Sequence, residues 1–161
     1  MNDHSPTSNW ATIVAGLHMR PGCDSVSILR LEAMVGGRLP SSYVRLLELS
    51  NGADGFIGDN SIVIYPAEDL IANPFPYGEF VPGYLFFAGD GGEAMFGFDL
   101  RAASDAVFVI HEDDLDSDKA IQISPNLESF FDLLRTQSWS ERWLELARAR
   151  RAQTHSPSGA D

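Results

Sequence analysis

The 161-residue sequence contains one cysteine, Cys23, and no long apolar run. A single thiol cannot form an internal disulfide, and this cysteine usage is typical of a reducing compartment. No apolar run approaches the roughly 18 residues that a membrane-spanning helix needs, and the amino end lacks the basic and apolar regions of a signal peptide. We therefore predict a cytoplasmic protein that does not enter a membrane.

Basic residues are also scarce, and the shortage is confined to one part of the chain. Eleven lysines and arginines stand against 23 acidic residues, for a net charge of −12. Between residues 54 and 118, fourteen acidic residues accompany Arg101 alone. The negative electrostatic field of such a segment repels nucleic acid and anionic membranes and speeds encounter with a basic protein. The alternative is that these acids keep an exposed sheet soluble and protect its edges.

Histidine is rare as well, which argues against acid–base catalysis. Of the four histidines, His4 and His155 lie in predicted tails, and His18 lies in a weakly patterned segment. Cys23 precedes a predicted helix, but no nearby residue is identifiable as the oriented base that a nucleophile requires. We predict no catalytic residues, no cofactor and no enzymatic activity.

Two sequence motifs resemble ligand sites but occur in the wrong context. Gly89-x-Gly91-x-x-Ala94 matches a dinucleotide fingerprint as a string, but a strand is predicted after it where the fingerprint needs a helix. His111-Glu112 begins like a zinc-protease motif, but Leu115 stands where the second histidine belongs. Neither motif therefore indicates a site.

The acidic segment Asp114-x-Asp116-x-Asp118 resembles the first ligand positions of a calcium loop. Lys119 replaces the required glycine, and Pro125 replaces the bidentate glutamate. We predict no dedicated metal site. Two interpretations of this segment stay open: a turn that binds cations weakly and, more simply, a solvated acidic turn.

Helical spacing of apolar residues appears in four main segments. The first begins with a cap at Asp24 or Ser25 and ends at Gly36-Gly37, and the second begins near Pro40 and ends at Asn51-Gly52. Two more are predicted after Ser124 and around Trp139. The predicted buried face of the first helix consists of Val26, Leu29, Met34 and Val35.

Between the second and third helices the pattern changes to strands. Residues 56–65 predict one hairpin, and residues 85–100 predict another with a glycine-rich acidic tip at the centre of the sheet. Further strands are predicted at 106–111 and 120–123. Together with the helices, these strands predict an antiparallel meander in one α+β domain.

A family resemblance is carried by residues 31–52, LEAMVGGRLPSSYVRLLELSNG. This segment resembles the L-G-x-x-L-P-x-x-Y-x-x-F-L-x-x-N-G signature of the SUKH superfamily, the Smi/Knr-like proteins. YPAEDL at 65–70, FAGDGG at 87–92 and SFFDLL at 129–134 resemble later elements of that family in the same order. Val35 and Leu46 depart from the usual leucine and phenylalanine but stay apolar.

The resemblance implies a single SUKH-like domain in which helices pack against a twisted antiparallel sheet. We place this domain at residues 24–137. A lead-in at 1–23 precedes it, and a C-terminal helical extension at 138–153 and a disordered tail at 154–161 follow it.

The resemblance also implies binding without catalysis. Many bacterial members are similar to immunity proteins, which neutralise a cognate toxin that is often a nuclease or deaminase, and fungal relatives act as regulatory scaffolds. We predict a non-enzymatic immunity protein whose acidic surface binds a basic toxin domain, with neither nucleic acid nor membrane as a partner. The predicted partner-binding residues are Asp90, Glu93, Asp113, Asp114, Asp116 and Asp118.

Two alternatives stay open at this point. One is a regulatory scaffold that binds a cellular protein, with the hydrophobic and basic C-terminal helix as the contact. The other is a small-ligand or enzymatic role in a pocket lined by Tyr65, Tyr84 and Phe98. Neither the oligomeric state nor the identity of the toxin is encoded in the family signature.

Overall fold

The computed structural model describes residues 9–116 and 119–154 of the chain. The helices are α1 (Asn9–Val14), α2 (Ser25–Val35), α3 (Ser41–Leu49), α4 (Ala67–Ala72), α5 (Leu127–Thr136) and α6 (Trp139–Thr154). The strands are β1 (His18–Met19), β2 (Ala53–Ile57), β3 (Asn60–Ile64), β4 (Tyr84–Gly89), β5 (Ala94–Asp99), β6 (Val107–His111) and β7 (Ile121–Ser124). The predicted tail, apart from Thr154, lies outside the described residues.

The strands form one antiparallel sheet in which each strand pairs with the next along the chain. This order confirms the predicted meander and the central position of the β4–β5 hairpin. The two-residue strand β1 was not predicted because it is too short to show alternation. In a meander, alternate turns share one end of the sheet, so the β2–β3, β4–β5 and β6–β7 turns lie together.

One face of the sheet packs against the helices through an aromatic cluster. The rings of Phe87 and Phe98 stack at a centroid distance of 4.5 Å, and Phe96 lies 4.9 Å from Phe130 of α5. Tyr43 of α3 packs on the Phe87–Phe98 pair, and its complete burial raises the pKa of its hydroxyl. The central hairpin is thus the layer on which α3 and α5 are assembled.

The opposite face of the sheet carries a second, smaller apolar cluster. Tyr84, Phe86, Met95 and Ile110 are buried there, with Tyr77 from the α4–β4 loop packed against them. Strand β4 is therefore buried on both faces, which accounts for its unbroken apolar sequence, YLFFAG.

The predicted ends of α2 are confirmed, but its predicted buried face is wrong for three of four residues. Asp24 caps the helix by accepting a hydrogen bond from the Ser27 N–H (2.8 Å), and Gly36 ends it at φ 80°. Ile28 and Leu31 are the buried residues, whereas Val26, Leu29 and Met34 are exposed. The helix carries two apolar stripes, and the spacing alone does not decide which one faces the core.

This difference gives a direct test on Leu29. Because Leu29 is 64% exposed, Leu29→Ser should change the free energy of unfolding by no more than about 0.5 kcal/mol. Leu31→Ala is the comparison, since Leu31 is fully buried on the same helix and its truncation leaves a cavity. Urea denaturation measures both; a loss at Leu29 as large as that at Leu31 would contradict the observed orientation of α2.

Candidate functional site

Two acidic turns meet at one end of the sheet. The β5–β6 pairing places Ala94 opposite His111, and beyond it the Glu112 N–H donates to the Glu93 carbonyl oxygen (2.7 Å). The β4–β5 tip and the β6–β7 turn, which are about twenty residues apart in sequence, therefore lie side by side. We call the acidic residues of these turns the acidic end; they are Asp90, Glu93, Glu112, Asp113, Asp114 and Asp116.

At the hairpin tip, Asp90 shapes the turn. Its Oδ1 atom accepts hydrogen bonds from the Gly92 N–H (2.8 Å) and the Ala94 N–H (3.2 Å). Gly91 has φ 81°, a conformation that side-chain-bearing residues rarely adopt. The side chain of Glu93 is exposed, so it is the tip carboxylate that is free to meet a partner. A strand follows the tip, which agrees with the exclusion of a dinucleotide loop.

Glu112 belongs to the acidic end although it is not among the predicted partner-binding residues. Its carboxylate accepts a hydrogen bond from the Tyr77 hydroxyl (2.8 Å), which joins the acidic end to the α4–β4 loop. Burial, with added repulsion from Glu112 and Asp90, raises the pKa of the nearby Tyr65 hydroxyl. Glu112 directly precedes the predicted Asp113 and Asp114, so the unbroken acidic run was the signal that could have identified it.

A mixed donor set lies within the acidic end. One ligand-type atom each from Glu93, His111 and Asp113 lies within 4.8 Å of the others. The His111 ring packs on Trp143 at a centroid distance of 4.5 Å, and its buried Nε2 atom has no hydrogen-bond partner in the described part of the protein. One imidazole and two carboxylates are donors that suit Zn²⁺ or Mn²⁺. Sequence motifs missed this set because Glu93 lies in the β4–β5 turn, whereas His111 and Asp113 lie at the end of β6 and in the turn after it.

Part of the β6–β7 turn lies beside the basic end of α6. Asp114 and Asp116 line a groove of about 570 Å³ together with Trp143, Arg150 and Arg151. The Arg150 guanidinium donates to the Ala120 carbonyl oxygen (2.8 Å) and so holds α6 against the turn. These arginines offset part of the charge of the turn. The predicted site residue Asp118 lies outside the described residues.

The pocket predicted from Tyr65, Tyr84 and Phe98 does not form. Phe98 belongs to the helix-covered core, whereas Tyr84 belongs to the cluster on the opposite face of the sheet. Adjacent strand positions alternate between the faces, which separates these side chains.

Cys23 shows no sign of an activated thiol. Its side chain is buried, and this burial raises the pKa of the thiol, which keeps it protonated and weakly nucleophilic.

Comparison with known proteins identifies one family. The model of the SMI1 / KNR4 family (SUKH-1) matches residues 22–133, which include α2 to α4, strands β2 to β7 and most of α5. No curated protein matches the sequence. None of the helices in the described ranges combines the length and the apolar character that a membrane span requires.

Proposed function

Because the chain belongs to the SMI1/KNR4 (SUKH-1) family, in which protein-interaction and toxin-immunity roles are known, we propose that it is an immunity protein. In this proposal it binds and neutralises a cognate basic toxin in the cytoplasm and catalyses no reaction. The observation that carries the proposal is the acidic end, where adjacent turns bring carboxylates from β4–β5 and β6–β7 onto one surface.

The charges at the centre of this surface are available to a partner. Within the described ranges, Glu93 and Asp113 form no ion pair with lysine or arginine, and both side chains are exposed. A toxin that acts on nucleic acid needs a basic substrate surface, and carboxylates can occupy the positions of phosphate groups there. Glu93, Glu112 and Asp113 are therefore the proposed centre of the interface, with Asp90 as the residue that shapes it.

The test neutralises three charges without changing side-chain shape. The variant Glu93→Gln/Glu112→Gln/Asp113→Asn should associate with the toxin about tenfold more slowly at low ionic strength, with a flatter salt dependence. The toxin would be sought as the product of a neighbouring gene by co-expression and pulldown. Stopped-flow association and rescue of growth from the toxin are the measurements.

A control variant removes the same charge elsewhere. Glu48→Gln/Glu128→Gln/Glu141→Gln alters three exposed carboxylates of α3, α5 and α6, all outside the acidic end. It should bind and protect like the unchanged protein if the position of the charge matters. Full protection and unchanged association by the acidic-end variant would refute the proposed interface.

A regulatory scaffold is the second candidate, and α6 is the feature that favours it. Leu144 is 40% exposed on this helix, which carries Arg148, Arg150 and Arg151 in its C-terminal half. A solitary gene without a toxin neighbour, together with loss of a cellular partner on Leu144→Ser, would support the scaffold and oppose immunity.

A further inference from the structure

A basic cavity lies at the end of the sheet opposite the acidic end. It has a volume of about 580 Å³ and is formed where α3 meets the β5–β6 loop. Arg38 from the α2–α3 loop, Arg45 from α3 and Arg101 from the β5–β6 loop all line it. Three of the eleven basic residues of an acidic chain therefore surround one concave site.

Two of these arginines have unused donors. Among the described residues, the guanidinium groups of Arg38 and Arg45 make no hydrogen bond or ion pair, and both side chains are exposed. Arg101 is held by Asp99 through an Nε–Oδ1 contact of 2.9 Å, and its guanidinium lies 5.4 Å from the centre of the Tyr84 ring. The cavity thus has one fixed guanidinium and two that are free to close on an anion.

The backbone adds further donors at the same place. Helix α3 begins at Ser41 after Pro40, and no side chain caps its first N–H groups. Ser41 and Ser42 both line the cavity. The one carboxylate there, Asp105, is already engaged, because its Oδ2 atom accepts from the Ser42 hydroxyl (2.7 Å) and the Leu127 N–H (3.2 Å).

We propose that this cavity binds the phosphate group of a small phosphorylated molecule. Guanidinium groups pair with phosphate oxygens through two parallel hydrogen bonds, and a helix N-terminus favours an anion. The volume is in the range of small-molecule sites, which leaves room for an organic group beside the phosphate. The net charge of −12 repels a long polyanion, whereas a small anion is attracted mainly by the nearby arginines because salt screens more distant charges.

The test compares ligands and variants of the full chain by isothermal titration calorimetry. The ligands are ribose 5-phosphate, inorganic phosphate and acetate at matched ionic strength. Arg38→Gln/Arg45→Gln should weaken ribose 5-phosphate binding by about tenfold or more, because charge-assisted hydrogen bonds are lost. Arg30→Gln/Arg148→Gln is the control, since it removes two exposed arginines that do not line the cavity.

Comparison of the ligands shows whether the site binds a phosphomonoester or free phosphate. Tighter binding of ribose 5-phosphate than of inorganic phosphate identifies a phosphomonoester site, and equal binding of the two identifies a site for free phosphate. Acetate binding as tight as that of either phosphate, absence of phosphate binding at millimolar concentration, or undiminished binding by Arg38→Gln/Arg45→Gln would overturn the proposal. We expect Arg38→Gln/Arg45→Gln to protect against the toxin as well as the unchanged protein does. Failure of the phosphate-site proposal can therefore be distinguished from failure of the immunity proposal.

Discussion

Phe130→Ala is expected to lower the free energy of unfolding by about 4 kcal/mol. Phe130 is fully buried, and its ring contacts Phe87, Phe96 and Phe131 at centroid distances of 6.1, 4.9 and 5.6 Å. It joins α5 to the two central strands, so its removal leaves a cavity at the contact between the layers. Guanidinium denaturation followed by circular dichroism measures the change.

Phe80→Ala is the matched control for this prediction. Phe80 is 51% exposed, so the same chemical change there should alter stability by about 1 kcal/mol or less. Phe130→Leu, which keeps most of the buried volume, should lose less than Phe130→Ala and provides a measurement if the alanine variant does not fold. Equal losses at Phe80 and Phe130 would show that the aromatic layer is not the main source of stability.

Asn60→Ala is expected to lower the free energy of unfolding by about 3 kcal/mol. The Asn60 amide donates to the Leu134 and Gln137 carbonyl oxygens (2.7 and 2.8 Å), and its Oδ1 atom accepts from the Trp139 N–H (3.2 Å). The side chain is buried, so alanine leaves the Leu134 carbonyl and the Trp139 N–H without this partner in the protein interior. Thermal and urea unfolding both report the loss.

Asn73→Ala serves as the control because Asn73 is exposed and its side chain makes no hydrogen bond in the described structure. Asn60→Asp is an independent test, since a carboxylate cannot donate to the two carbonyl oxygens and should also be strongly destabilising. A stable Asn60→Asp variant would contradict the role assigned to the amide.

Asn60 also connects stability to the proposed interface. It ties the start of β3 to the junction between α5 and α6, and α6 in turn lies beside the β6–β7 turn. Loss of this link is expected to loosen the placement of Trp143 and the basic end of α6 next to Asp114 and Asp116. Toxin binding by Asn60→Ala would therefore be compared at a temperature at which the variant is still folded.

Local sequence features were sufficient to predict most of the order of helices and strands. The capping side chain of Asp24, the glycine exit at Gly36 and the alternation in 60–64 act within a few residues, so a sequence displays them directly. The family signature follows from the same local features, and the match over residues 22–133 confirms it.

The tertiary structure decided what depends on distant partners. It determined that Leu31 and not Leu29 faces the core, because two apolar stripes compete for one surface and only packing selects between them. It brought Glu93 next to Glu112, set the basic end of α6 against the acidic turn and gathered Arg38, Arg45 and Arg101 around one cavity. Composition indicated an acidic protein, but strand register and helix placement determined where each charge lies, since both are properties of the whole packed chain.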